Sequence, residues 1–205
     1  MGLVGPTENP MSRYKSCLVQ ISIETETPHM IDIRPYHESD QAPVRDLFIK
    51  VNRLIAPRGM ESAFEQYIER SLDEEIMQIP DYYAQRNGGF WVATSQNLIS
   101  GMFGLEETEA GVFELRRMYV DPDFRRMGIA RQLLEYGETC ARDMGARQII
   151  LSTSELQQAA LALYRNAGYH ASKEEVAKDA SNKTIGGGIR RYHFVKDILA
   201  GKAPD

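Results

Sequence analysis

Apolar residues follow two periodicities along the chain. Ile31 to Pro35 alternates apolar and polar side chains, as is typical of a short half-buried strand. Apolar residues then recur at i, i+3 and i+4 spacing, which predicts one helix from Ser39 or Asp40 to Ile55 and another from Glu61 to about Ile76. Pro80 marks the expected end of the second helix. The chain therefore begins its regular part as one strand followed by two helices.

The alternating pattern of strands returns after Pro80, and segments with the helical pattern then alternate with it along the chain. Strands are predicted over Gly89–Thr94, Leu98–Leu105, Val112–Val120, Gln148–Thr153, Tyr169–Ser172 and Ile189–Asp197. Helices are predicted from Ile129 to a stop at Gly145, and from Leu156 to a stop at Gly168. The resulting order, β α α β β β α β α β β, indicates an α/β fold with a mixed sheet.

The chain ends differ in composition from this regular part. Residues 1–29 form an N-terminal extension in which the run from Cys17 to Ile23 is the β-prone stretch. The predicted domain spans residues 30–198, and residues 199–205 form a tail. The charged, glycine-ending stretch from Lys173 to Gly188 is predicted to be a surface loop bordering a substrate site.

Composition excludes several classes of protein. The 205 residues suit one domain, and a net charge of −5 argues against binding nucleic acid through bulk charge. No stretch reaches the roughly 18 apolar residues of a membrane helix, and no apolar run opens the chain, so we expect a cytoplasmic protein without a membrane partner. Cys17 and Cys140 predict neither a disulfide nor a metal site.

Local charge points to an anion site. Between Arg116 and Arg131 the chain carries five arginines and two acidic residues, a net +3 within an acidic protein. The same stretch passes from a strand through a loop into a helix, whose first turn leaves backbone N–H groups free for phosphate. Gly128 and Ala130 keep that turn accessible. Neither a mononucleotide P-loop nor a dinucleotide fingerprint is present, so another phosphate-bearing cofactor is implied.

Two motifs here resemble one family. Arg125-x-x-Gly128-x-Ala130 resembles the Gln/Arg-x-x-Gly-x-Gly/Ala signature of the GNAT superfamily of acyl-CoA N-acyltransferases. Ala160-Leu-Ala-Leu-Tyr-Arg-Asn-Ala-Gly-Tyr169 is similar to that superfamily's later Ala-x-x-Leu-Tyr-x-x-x-Gly-Phe/Tyr helix. The resemblance implies a mixed, mostly antiparallel sheet, flanked by helices and splayed between its fourth and fifth strands, with acetyl-CoA in the gap.

The resemblance also implies a set of site residues. Backbone groups of Met118, Tyr119 and Val120 would pair with pantetheine, and the segment Arg125, Arg126, Met127, Gly128, Ile129 and Ala130 would cradle the pyrophosphate. Tyr164 would protonate the leaving thiolate, and Glu114 would deprotonate the amine. Gln157 replaces the family's usual Asn. It either contacts the cofactor or forms a capping box with Ser154.

The function expected from this resemblance is direct transfer of acetyl from acetyl-CoA to a primary amine of a small molecule or peptide. The alternative is a non-catalytic module that binds or senses acyl-CoA. Glu106, Glu107 and Glu109 offer negative charge to a cationic amine. An edge strand near Tyr192, or the segment from Cys17 to Ile23, offers pairing with a second copy, so the predicted assembly is a homodimer.

Overall fold

The computed structural model of the protein describes residues 31–198. A single sheet of seven strands has the order β1-β2-β3-β4-β5-β7-β6, and every neighbouring pair is antiparallel except β4 and β5. The strands are β1 Asp32–Pro35, β2 Gly89–Ser95, β3 Leu98–Glu109, β4 Val112–Val120, β5 Gln148–Ser154, β6 His170–Ala177 and β7 Ile189–Asp197. The predicted mixed, mostly antiparallel sheet is confirmed.

Five α-helices flank this sheet within the described residues. They are α1 Gln41–Ile55, α2 Glu61–Glu74, α3 Ile79–Ala84, α4 Ile129–Asp143 and α5 Gln158–Asn166. Four of them match predicted helices, whereas α3 was not predicted. Pro80 lies at the second position of α3 rather than at the end of a helix. Proline is tolerated there because the N–H groups of a helix's first turn have no partner within the helix.

Three boundaries differ from the predictions in ways that affect the site. β3 extends to Glu109, so Ala110 and Gly111 alone connect it to β4. β6 extends to Ala177, which shortens the predicted loop to residues 178–188. β7 pairs with both β5 and β6, so the expectation of a free edge near Tyr192 is wrong. The segment from Cys17 to Ile23 lies outside the described residues.

Two hydrophobic clusters hold the helices against the sheet. One joins α4 and α5 to β3, β4 and β5 through residues such as Leu133, Phe103 and Leu161. The other joins α1, α2 and α3 to β2 and β3 through residues such as Phe48 and Ile79. Burying these apolar faces supplies the main driving force for the fold. None of the helices within residues 31–198 is both long and apolar enough to cross a membrane.

The sheet opens between β4 and β5. The two strands pair only from Val112 opposite Gln148 to Leu115 opposite Leu151. Beyond that point, β4 continues beside β3, while β5 continues beside β7. The register of β3 and β4 shifts between Met102 and Gly104, where Arg117 adopts a positive φ of 52°. Such a bulge bends and twists its strand, and the predicted splay is confirmed.

Candidate active site

A cavity of about 760 Å³, including its open mouth, occupies the gap between β4 and β5. Five predicted site residues line it: Glu114, Met118, Tyr119, Gln157 and Tyr164. The other lining residues are Asn52, Ile55, Tyr67, Leu115, Arg116, Arg117, Ser152, Thr153, Ser154, Asn182, Lys183, Ile185 and Arg191.

The predicted phosphate segment lies outside this cavity. Residues 125–130 follow the end of β4 and lead into α4, with Gly128 at the N-cap. No acceptor within residues 31–198 receives a hydrogen bond from the backbone amides of residues 126–130. Gly128 has a φ of 78°, which favours glycine. The free N–H groups of residues 128–130 lie at the positive end of α4, and those of residues 126 and 127 directly precede it; such an arrangement fits an anion.

The charge count behind the predicted anion site needs correction. Arg116 and Arg117 are buried and face carboxylates: Glu75 lies 2.6 Å from Arg116 and 2.7 Å from Arg117. Glu106 lies 2.8 Å from Arg116. Arg131 pairs with Glu135 at 2.7 Å. The predicted local excess of +3 is therefore neutralised largely by residues distant in the sequence.

Glu75 is the centre of this buried network. Burial alone would raise the pKa of the Glu75 carboxyl, but the guanidiniums of Arg117 and Arg116 outweigh burial and hold that pKa below its usual range. Tyr83 also donates a hydrogen bond to Glu75 Oε1 over 2.7 Å. Its ring passes over Gly104, where a Cβ would lie 2.2 Å from the Tyr83 hydroxyl oxygen. Only glycine at position 104 leaves room for the Tyr83 ring to reach Glu75.

Tyr164 presents an unengaged hydroxyl to the cavity. Its ring packs edge-on against Tyr169, with centroids 5.9 Å apart, and tilted against Phe194 at 6.0 Å. Its hydroxyl forms no hydrogen bond with any group of residues 31–198. Burial raises the pKa of Tyr164 above its ordinary value. The phenol is therefore protonated at neutral and moderately alkaline pH.

Glu114 faces the cavity from β4, with its side chain 13% exposed. Lys183, from the loop 178–188, donates to Glu114 Oε2 over 2.5 Å and to Glu106 Oε1 over 3.0 Å. Of the three glutamates expected to attract an amine, Glu106 is the one that contacts this ammonium. Glu107 instead accepts from the backbone N–H of Gly111 over 3.0 Å.

Hydrogen bonds with the body of the domain hold the loop 178–188 beside the cavity. Arg117 donates to the carbonyl oxygen of Asn182 over 2.8 Å. Arg70 donates to the carbonyl oxygen of Ala180 over 2.5 Å. Together with Lys183 on Glu114, these contacts place the loop beside the cavity as a wall. The prediction that this segment borders the site agrees with the structure, although the loop is shorter than expected.

Gln157 does not form the predicted capping box. Its Oε1 accepts a hydrogen bond from Thr153 Oγ1 over 2.9 Å, and no side chain caps the N-terminus of α5. The reason is that Gln157 itself occupies the N-cap position, one residue before the helix begins. Its side chain lies instead along the cavity wall.

Among the lining residues that were not predicted as site residues, Lys183 and Arg191 bear charges that matter for the chemistry of the cavity. Lys183 lies in a charged loop with no motif, and Arg191 lies on a strand whose pattern indicates only half-burial. Cys140 lies on α4 outside the cavity, where burial raises the pKa of its thiol to about 11. A protonated thiol is a poor nucleophile, so Cys140 is not assigned a role in the chemistry.

Comparison with known proteins places this arrangement in a family. A model described as the acetyltransferase (GNAT) family matches residues 57–169. N-acetyltransferase 8 of Homo sapiens is 34% identical over 113 residues, which cover 51% of this chain and 48% of that protein. The chain thus spans about half the length of the curated relatives it matches.

Solved structures share the fold. An acetyltransferase from Streptococcus agalactiae superposes with a TM-score of 0.64 at 24% identity, covering 82% of this chain and 98% of its own. PaiA N-acetyltransferase from Thermoplasma acidophilum, solved in complex with coenzyme A, gives a TM-score of 0.62 at 17% identity, covering 82% and 99%. The chain belongs to the acetyltransferase (GNAT) family, and the predicted resemblance is confirmed.

Proposed function

We propose that this chain is an N-acetyltransferase that moves an acetyl group from acetyl-CoA to a primary amine of a small molecule or peptide. One observation carries the proposal: the opening between β4 and β5 joins the free Tyr164 hydroxyl to a carboxylate, Glu114, that already holds an ammonium. Family membership supports the reaction type, and the coenzyme A complex of the PaiA relative supports the ligand.

The binding of acetyl-CoA is assigned to backbone groups. The free amides of residues 126–130 would hold the pyrophosphate, with the exposed guanidiniums of Arg125 and Arg126 beside it. The edge of β4 from Met118 to Val120 has no strand partner on its β5 side and would pair with pantetheine. Gln157 would complete the cavity wall along this arm.

Acetyl-CoA supplies an activated acyl thioester when bound. In direct transfer, a C–N bond forms between the amine and the acetyl carbonyl carbon while the C–S bond breaks, and the electron pair leaves with sulfur. The Tyr164 hydroxyl donates its proton to that sulfur, and Glu114 accepts the proton that the amine loses. The products are an N-acetyl amine and free coenzyme A, and solvent restores both side chains.

The contact between Lys183 and Glu114 supports the acceptor side of this assignment. It shows that a primary ammonium fits against this carboxylate within the cavity. An acceptor amine entering the same place would displace Lys183 from Glu114. Because Ile55 of α1, Tyr67 of α2 and Lys183 of the loop 178–188 line the cavity beside Glu114, the acceptor would approach from their side.

Release of coenzyme A thiol over a panel of primary amines tests the proposal, with mass spectrometry of the acetylated product. Turnover with at least one amine is expected, and Glu114→Gln should lower the rate. Saturable binding of acetyl-CoA without thiol release from any amine would instead support a non-catalytic module. Unchanged kinetics in Glu114→Gln would assign the base to another group or to water.

A further inference from the structure

Arg191 brings a positive charge to the cavity and forms no ion pair within residues 31–198. It lies on β7 opposite Ser154 of β5, and its Nη2 donates to Ser152 Oγ. No carboxylate of residues 31–198 lies within ion-pair distance of it, and its buried Nε has no acceptor there. Arg191 is half-buried with its Nε fully buried, and a charge so placed is costly without a counterion, so this guanidinium is suited to bind an anion from outside.

Neighbouring arginines show the contrast. Arg116 and Arg117, which line the same cavity, are both paired with Glu75. Arg190, the residue before Arg191, points away from the cavity and pairs with Glu174 at 3.1 Å. Arg191 is thus the lining arginine whose charge the fold leaves available.

The environment of Arg191 places it on the acceptor side. Burial lowers the pKa of its guanidinium, and the carboxylates of Glu114 and Glu175, neither of them in ion-pair contact with it, oppose that effect. Tyr67 of α2 and Tyr119 of β4, which line the same cavity, also act on it electrostatically, so the guanidinium faces the cavity. The amides of residues 126–130, assigned to the phosphates of acetyl-CoA, do not line this cavity. The phosphates of acetyl-CoA, assigned to those amides, are therefore not the anion that the Arg191 guanidinium would bind.

The cavity accordingly offers an anion site beside a cation site. We propose that Arg191 selects acceptors in which the amine is accompanied by a carboxylate, with the carboxylate on Arg191 and the amine on Glu114. This inference rests on the proposed function. A guanidinium presents a planar fork of N–H groups that matches a carboxylate. Ile55 and Ile185 line the same space, so an apolar side chain suits the acceptor.

Matched acceptors test this inference in the full chain. Thiol release from acetyl-CoA is measured with L-phenylalanine, L-phenylalaninamide and 2-phenylethylamine, and with leucine and its amide. We expect kcat/KM for an acid to exceed that for its amide by about 10- to 100-fold, the usual effect of a charge-assisted hydrogen bond. Arg191→Gln should reduce that ratio to about 1, whereas Arg191→Lys should retain part of it because it keeps a point charge.

Arg190→Gln is the control, because it removes an equally charged side chain from the next position on the outer face of the same strand. It should leave the ratio of acid to amide as in the natural chain. Binding of the same acceptors to protein loaded with coenzyme A is measured by calorimetry, so the preference is read without turnover. The acid should bind more tightly than the amide, and Arg191→Gln should abolish that difference.

The outcomes separate the two proposals. Thiol release from amides as efficient as from acids, or equal loss of preference in the Arg190 and Arg191 variants, would overturn the role of Arg191 and leave the acetyltransferase proposal standing. A preference for O-phosphoethanolamine over the amino acids would overturn the carboxylate assignment. Absence of thiol release from every amine, with acetyl-CoA bound, would defeat the acetyltransferase proposal, while the calorimetric preference would still decide on Arg191.

Discussion

Lys183 places its ammonium on Glu114 across 69 residues of sequence, with Nζ 2.5 Å from Oε2. This contact occupies the carboxylate proposed to receive the acceptor. Lys183→Ala should lower KM for amine acceptors several-fold, because a competing contact reduces the fraction of protein ready to bind. Steady-state kinetics over the amine panel measures the change.

Lys178→Ala, on the same loop, has no ion pair within residues 31–198 and serves as the control. A higher KM in Lys183→Ala would show instead that Lys183 helps to bind the acceptor.

Tyr164→Phe should lower kcat by about 10- to 1,000-fold, as loss of a general acid does, while affinity for acetyl-CoA stays near that of the natural chain. The ring and its contacts with Tyr169 and Phe194 are kept, so the change isolates the hydroxyl. Because burial raises the pKa of Tyr164, activity should not fall at moderately alkaline pH through loss of this proton. Tyr169→Phe, the control, removes the neighbouring buried hydroxyl and should change kcat little. An equal kcat in Tyr164→Phe would exclude the role.

Glu75→Gln should destabilise the protein by about 3–5 kcal/mol, because it leaves the buried Arg116 and Arg117 short of a counterion. The folded pKa of Glu75 is lowered. Glu75 therefore contributes its full stabilisation above its pKa in the unfolded chain, about 4.3. That stabilisation is lost as the pH falls through the lower pKa of the folded protein. The difference in free energy of unfolding between the natural chain and the variant should shrink below about pH 4.

Denaturant unfolding at a series of pH values measures this difference. Glu65→Gln removes a carboxylate from an exposed pair with Arg53, in which the Glu65 side chain is 49% exposed, and should change stability little. A Glu75→Gln protein as stable as the natural chain at pH 7 would show that the buried network is not a major source of stability.

The element order was predictable because burial imposes a period on each helix and strand. The predicted bounds of β4 and β7 match the structure, and Gly145 and Gly168 end helices with φ of 84° each. The short helix α3 was missed because Pro80 is compatible both with ending a helix and with beginning one.

The electrostatics were less predictable, because charges compensate across distant parts of the chain. Arg116 and Arg117 lie in a basic run, yet their partner Glu75 comes from the end of α2, more than forty positions away. For the same reason, the unpaired state of Arg191 could not be seen in the sequence. Backbone conformation depends on local sequence, so the glycine N-cap that begins α4 at Gly128 was predictable from its motif, whereas the binding of phosphate by residues 125–130 stays a prediction.

Titration calorimetry with acetyl-CoA tests the central claim most directly, using Gly128→Asp and Gly128→Asn. Both variants place a side chain at the same positive φ of 78°, and a Cβ there meets nothing nearer than Gln132 Nε2 at 3.8 Å. They differ in a negative charge beside the free amides. The natural chain should bind one acetyl-CoA saturably, and Gly128→Asp should bind at least about tenfold more weakly than Gly128→Asn. Equal affinities in the two variants, or no binding by the folded natural chain, would contradict the assignment of residues 126–130 to the cofactor's phosphates.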